Sequence, residues 1–290
     1  MGIITIGGIT FLLNPYLIPV LAILAFFGFL PRVFFFCLLV LLHELGHVFA
    51  ATSFGLHVKE VELLPFGGVA RIDDLLEADP LVEACVALAG PLTSFFLAGL
   101  TYYLIQLETF PLDWLQLSLR ANIGIGLFNL LPGLPLDGGR IYRAYLVKDH
   151  GYREATGKAA TMGKALAVFL GLGGLGEFWF RGQYPSLLMV AFFLYFSADQ
   201  EQGMAIYVLL RSLARKKQEL QTKGVITAQQ LVAKGDTPLK DVVKYFTPQK
   251  YSVLVILDED GRLLGVVSEA QVLEGLLQTS IDTPLIRLLN

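Results

Sequence analysis

Residues 38–51, LLVLLHELGHVFAA, set two histidines and a glutamate in an otherwise apolar run. His43 and His47 are four apart, so on a helix they share one face about one turn apart, where two imidazoles can bind a single Zn²⁺. Glu44 stands beside the first histidine, close enough to take a proton from an attacking water. This HExxH spacing also arises by chance, and in a soluble helix a satisfied polar patch without metal is a serious competitor. Here residues 33–42 carry no charge. That sets the motif at bilayer depth, where ionisable side chains are costly and kept for function. The metal reading therefore outweighs the bland one.

The composition around this stretch fits a membrane setting. Of 290 residues, 54% are hydrophobic and 16% charged, too apolar for an ordinary soluble chain and too long for a single span. Runs of about 20 apolar residues cross a bilayer, and six are present: 11–30, 33–53, 81–106, 114–131, 158–180 and 184–210. They predict a polytopic α-helical membrane domain over residues 1–210. The first run lacks a basic n-region and a small-residue cleavage site, so it reads as a retained span. Gly171, Gly173, Gly174 and Gly176 in the fifth suit a close helix contact or a flexible lipid-facing segment. Cys37 and Cys85 sit in spans with no disulfide or metal spacing, and read as free thiols. A net charge of −3 and no basic, aromatic-interleaved surface argue against nucleic acid as a partner.

Basic residues cluster after alternate spans: Lys59 and Arg71; Arg140, Arg143, Lys148 and Arg153; Arg211, Arg215, Lys216 and Lys217. The opposite loops hold little beyond Arg32 and Arg181. The positive-inside rule then predicts cytoplasmic N- and C-termini, with the histidines near the cytoplasmic end of their span.

Residues 58–72 predict a hairpin around Pro65-Phe66-Gly67-Gly68, with the glycines supplying positive φ at the turn. The segment is too apolar for a free loop, and is expected to dip into the membrane beside the histidines. Phe66 and Gly67 are candidate substrate contacts, on a flap or on an edge strand that pairs with an extended peptide. A hairpin that only caps the bundle is the alternative. Span four ends in FNLLPGLPLDGGR, residues 128–140, whose prolines and glycines cannot continue a helix. Asp137 is expected there on an unwound segment facing the interior. It can complete a His₂Asp set that leaves a fourth zinc position open, or simply cap the helix expected at 141–147.

HELGH in one span, with Asn129 and Pro135-Leu136-Asp137-Gly138 downstream in another, resembles the site-2 protease family (M50) of intramembrane metalloproteases. The motifs cover residues 33–145. The resemblance implies an intramembrane zinc endopeptidase in which His43, His47 and Asp137 hold Zn²⁺ and Glu44 is the catalytic base. It implies a membrane-associated protein substrate cut near the cytoplasmic face, with Asn129 and Pro135 as candidate substrate contacts. The family's compact form is Asn-Pro-Asp-Gly. Here Asn129 is six residues before Pro135 and Leu136 intervenes, so Asn129 is either a donor to the substrate or oxyanion or an interhelical hydrogen-bonding residue. The layout is most similar to the family's sporulation branch. That likeness implies a pro-sigma-K-like substrate, inhibitory membrane partners and a place in the membrane around the forespore.

Beyond Arg215 the composition turns polar. Residues 211–223 form a basic helical linker, and 224–290 an α/β module with strands at 252–257 and 263–267, a turn at 258–261, and helices starting at Thr237 and Glu269. This order resembles one CBS motif. Such motifs work in pairs, which implies a homo-oligomer, and they commonly bind adenine nucleotides, which implies ATP near Ser268 and Asp241. Gln271 stands where that family usually has Asp or Asn, so a docking and oligomerisation platform stays open beside nucleotide sensing. A metal transporter or channel gated by the CBS module is the reading from a different class. Glu44 discriminates, because a transport site needs no general base.

Overall fold

The computed structural model describes residues 2–6, 9–13, 28, 30–64, 67–72, 79–108, 111–182, 186–247, 250–278 and 282–289. The chain divides into two compact units, residues 1–75 with 80–141, and residues 142–290 with 76–79.

The first unit begins with strands β1 (Gly2–Ile6) and β2 (Ile9–Leu13), followed by helix α1 (Leu30–Ser53), strands β3 (Val58–Leu64) and β4 (Gly67–Ile72), and helices α2 (Pro80–Gln106) and α3 (Leu112–Asn129). The strands form one sheet in the order β1-β2-β3-β4, with β2 and β3 parallel, Thr10 beside Glu60, and the outer pairs antiparallel. The expected first span is corrected at both ends: Phe11 to Leu13 lie in β2 and Leu30 opens α1. Ile9-Thr10-Phe11 is β-branched and aromatic, a composition that suits a pleated strand with a partner, and β3 supplies that partner. Residues 14–27 lie outside the described residues.

The hairpin at 58–72 is present as β3 and β4, but its glycines are not turn residues. Gly67 pairs with Leu64 and Gly68 with Leu63, inside the ladder. Phe66 lies outside the described residues. Both strands of the hairpin pack on α1, the helix that carries HELGH.

Small residues let the helices approach closely. A Cβ on Gly46 would strike the Thr93 hydroxyl and come within 2.9 Å of the Ala89 carbonyl, so α1 and α2 touch backbone to backbone just where the motif lies. On the other side of α2, Ser118 Oγ and Thr101 Oγ1 are 3.1 Å apart, and Asn122 Nδ2 donates to the Ser118 carbonyl at 3.0 Å. The Thr101–Ser118 contact ties α3 to α2 in a setting where apolar side chains alone give little preference for a partner, while the Asn122 bond stays within α3.

The long helix α4 (Asp137–Arg181) is interrupted at Gly151, where φ is 70° and ψ 166°. It is followed by α5 (Ser186–Lys223). In the second unit Lys164 Nζ on α4 donates to Asp199 Oδ1 at 2.6 Å and Gln202 Oε1 at 2.9 Å on α5. Of the four glycines of the expected fifth span, Gly174 sits in the close contact, where a Cβ would come within 3.0 Å of the Leu188 nitrogen, while Gly173 and Gly176 face open space. Among the described residues three helices are long and apolar enough to cross a membrane, Leu30–Ser53, Pro80–Gln106 and Asp137–Phe180. The expected fourth span is α3, of 18 residues, and the sixth falls in the first half of α5.

The basic linker is helical and continuous with α5 as far as Lys223. The module beyond it holds β5 (Ala228–Lys234), α6 (Leu239–Val243), β6 (Tyr251–Leu257), β7 (Leu263–Ser268), α7 (Glu269–Gln278) and a closing 3₁₀ turn at Leu285–Leu289. Strand β5 was not expected. It runs parallel to β6, which is antiparallel to β7. Leu239, Phe246, Leu254, Ile256, Val267, Val272 and Leu285 form the core between sheet and helices. Gly151 abuts this module: a Cβ there would overlap the Lys244 carbonyl, so glycine is required for both space and positive φ.

Candidate metal centre

Helix α1 presents His43 and His47 on its buried face, 2% and 4% exposed. The expected i, i+4 geometry places their rings 4.9 Å apart at 81°. Asp137, 94 positions after His43, joins them from another element. Its setting corrects the expectation of an unwound segment: Asp137 is the first residue of α4, directly after the irregular loop 130–136. A place in the first turn of the helix and an inward orientation therefore coexist. The glycines that follow make this geometry attainable, because a Cβ on Gly138 would overlap the Leu130 carbonyl and one on Gly139 the Gly133 backbone. The Leu134–Pro135 peptide in that loop is cis.

The three donor atoms form a nearly equilateral triangle. Asp137 Oδ2 is 3.2 Å from His43 Nε2 and 3.2 Å from His47 Nε2, and the two nitrogens are 3.3 Å apart. Ligands held tetrahedrally at about 2.0–2.1 Å from one ion stand about 3.3 Å from each other. The triangle thus has the size of one face of a zinc tetrahedron, and the residue types fit that ion. A carboxylate oxygen of Glu44 lies within 4.8 Å of a ring nitrogen of each histidine.

Helix α2 holds the far sides of both rings. His47 Nδ1 donates to the Val86 carbonyl at 2.8 Å, and His43 Nδ1 is 2.9 Å from Ser94 Oγ. A carbonyl can only accept, so Nδ1 of His47 carries a proton, which in the neutral ring leaves the Nε2 lone pair facing the triangle. Between these two positions lies Gly90, where a Cβ would collide with both imidazoles. Val86, Gly90 and Ser94, spaced four apart, make one stripe of α2 that cradles the histidines. Sequence reasoning did not single them out. The available signal was a glycine and a serine one turn apart in an apolar span, and that alone does not say which face they occupy.

Other expected site residues lie differently. Asn129 Nδ2 donates to the Ile125 carbonyl of its own helix at 3.0 Å, so that donor is turned along α3. Pro135 is half-buried in the loop before Asp137, and Gly67, in β4, is paired with Leu64 of β3. In the C-terminal module, Ser268 and Gln271 form a reciprocal cap at the start of α7: Ser268 N and Oγ donate to Gln271 Oε1 at 2.9 and 2.7 Å, and Gln271 N returns a bond to Ser268 Oγ at 3.3 Å. Asp241 accepts from Lys244 Nζ at 2.8 Å, and that bond holds its carboxyl below the ordinary carboxylate range.

A buried His₂-carboxylate triangle on long apolar helices, with a second carboxylate beside it, defines a membrane-embedded metallohydrolase. Comparison with known proteins agrees. Residues 32–113 match Peptidase family M50 and residues 221–278 match the CBS domain. A zinc metalloprotease of Methanocaldococcus jannaschii, MJ0392, is 31% identical over 254 residues, covering 85% of this chain and 70% of that protein. Stage IV sporulation protein FB of Bacillus subtilis is 31% identical over 142 residues, 49% of each chain. The solved structure of the site-2 protease from M. jannaschii superposes with a TM-score of 0.57 at 33% identity, covering 70% of this chain and 94% of that one. The chain belongs to peptidase family M50, the site-2 proteases, and is an intramembrane zinc metalloendopeptidase carrying a C-terminal CBS domain.

Proposed function

We propose that His43, His47 and Asp137 hold the zinc ion, that Glu44 is the general base, and that both termini are cytoplasmic, so that cleavage occurs near the cytoplasmic face. The donor triangle with 3.2–3.3 Å edges carries this reading. When bound, zinc supplies Lewis-acid polarisation of the scissile carbonyl and a lowered pKa for the attacking water. Glu44 stands one water's reach from the triangle, placed to accept that water's proton and return it to the leaving amine. Val86 and Gly90 keep the rings facing inward, and the apolar walls of α1 and α2 exclude bulk water. Strands β3 and β4 lie against α1, and β4, at the sheet's edge, is the element we propose to engage an extended substrate segment.

The substrate we propose is a membrane-associated protein of the pro-sigma-K kind, on the strength of the likeness to the sporulation protein. With it come inhibitory membrane partners and a place in the membrane around the forespore. The CBS domain is proposed as a regulatory docking module that pairs with a second copy. ATP is the ligand that the CBS resemblance brings forward. Its expected contacts are already engaged within the chain, Ser268 with Gln271 and Asp241 with Lys244, and we therefore favour docking. Titration of the full-length protein with ATP separates the two: binding abolished by Ser268→Ala would restore nucleotide sensing.

Co-expression with a tagged pro-sigma-K-like substrate tests the whole reading. Cleavage by the wild type, with none by Glu44→Gln or Asp137→Ala, is the expected result. Normal cleavage by Glu44→Gln would overturn the mechanism, and wild-type inactivity on this substrate would remove the sporulation assignment.

A further inference from the structure

The two ligand imidazoles are anchored on α2 by unlike groups. His47 ends on a backbone carbonyl, a fixed acceptor, and no side chain at position 86 is needed for it. His43 ends on Ser94 Oγ at 2.9 Å, in a site where Ser94 is fully buried and the ring 2% exposed. A hydroxyl can donate or accept. If it donates, His43 Nδ1 is the bare nitrogen and the proton on Nε2 points into the triangle, 3.2 Å from Asp137 Oδ2 and 3.3 Å from His47 Nε2. That tautomer cannot ligate. If the hydroxyl accepts, Nδ1 carries the proton and Nε2 offers its lone pair alongside the other two donors.

We propose that Ser94 is a positioning residue for the protease: its hydroxyl oxygen accepts the His43 Nδ1 proton and so selects the ligating tautomer and ring orientation. The proposal rests on the ligand reading above. It also explains why His43 depends on a side chain where His47 does not. A buried Nδ1–H with no acceptor has lost its hydrogen bond without regaining water, which favours the other tautomer or a rotated ring. Outer partners of this kind are typically worth about 10- to 100-fold in metal affinity or activity.

The test is zinc affinity of the detergent-purified, full-length protein, measured by chelator competition and without reference to activity. Ser94→Ala, Ser94→Thr and His47→Ala are compared with the wild type, and thermal stability and the kcat and KM of cleavage are recorded beside them. Ser94→Ala is expected to bind zinc about 10- to 100-fold more weakly, to lose kcat with KM unchanged, and to melt near the wild type. Ser94→Thr, which keeps the hydroxyl, is expected to recover most of both. Wild-type affinity in Ser94→Ala would overturn the proposal, as would equal losses in Ala and Thr that track a fall in melting temperature. His47→Ala separates the two levels. If it too keeps zinc, the ligand reading itself fails; if it loses zinc while Ser94→Ala does not, only the role of Ser94 falls.

Discussion

Two buried polar clusters in this chain look alike by composition and behave in opposite ways. In the first unit His43, His47 and Asp137 aim three electron-rich atoms at one point. In the second, Lys216 at the end of α5 donates to Glu269 Oε1 at 2.9 Å and to the Thr247 carbonyl at 2.8 Å, while Ser252 N donates to Glu269 Oε2 at 2.6 Å. Lys216 and Glu269 are 3% and 2% exposed. The lysine cluster contains its own cation and neutralises itself. On the reading proposed above, the histidine cluster is completed by a cation from outside. A buried polar group in need of a partner is the mark of a site, and one already partnered is the mark of a joint.

Substitutions at the first cluster should give the largest effects. Asp137→Ala removes one corner of the triangle, so both bound zinc and cleavage should vanish, as read by metal analysis and substrate processing. Glu44→Gln should sharpen the contrast, since it keeps zinc and loses about 10²- to 10⁴-fold in kcat. Gly90→Ala, a single methyl on a helix where alanine is favoured, should abolish zinc binding by occupying the space of the rings. Retention of zinc by that variant would mean α2 is free to move away.

The second cluster should respond in the pattern of a joint. Lys216→Met leaves a buried carboxylate unpaired and should cost roughly 3–5 kcal/mol of the module's stability, followed by thermal or denaturant unfolding. Adding Glu269→Gln, which keeps an acceptor for Ser252 N, should recover much of that loss. Neither change should alter zinc content. The smallest effect belongs to Asp241→Asn: the exposed pair with Lys244 is screened by solvent, so the melting curve should be unchanged from pH 5 to 8.

The difference between the clusters also explains what was legible in the sequence. His43 and His47 could be read because two imidazoles one turn apart in an uncharged span have few other reasons to be there. Asp137 could be singled out only in the company of HELGH, because an aspartate before Gly-Gly serves as well to cap a helix. Its place at the head of α4 could not, because the close packing of Gly138 and Gly139 on the preceding loop is a tertiary fact. Val86 acts through a carbonyl that every residue has, and Gly90 through the absence of a side chain, so neither announces a role. Strands β1, β2 and β5 were hidden for a related reason: short apolar segments become strands through the neighbours they pair with, β2 through β3 and β5 through β6. Lys216 was read as a topology marker and part of a basic linker, not as a buried joint, since its partner lies 53 positions away.

Zinc K-edge X-ray absorption on the purified full-length protein tests the central claim most directly. The expected spectrum is one zinc per chain with two imidazole nitrogens and a carboxylate oxygen at about 2.0–2.1 Å, and the imidazole signature lost in a His43→Ala, His47→Ala double variant. Sulfur in the coordination shell, or an unchanged spectrum in that variant, would contradict it.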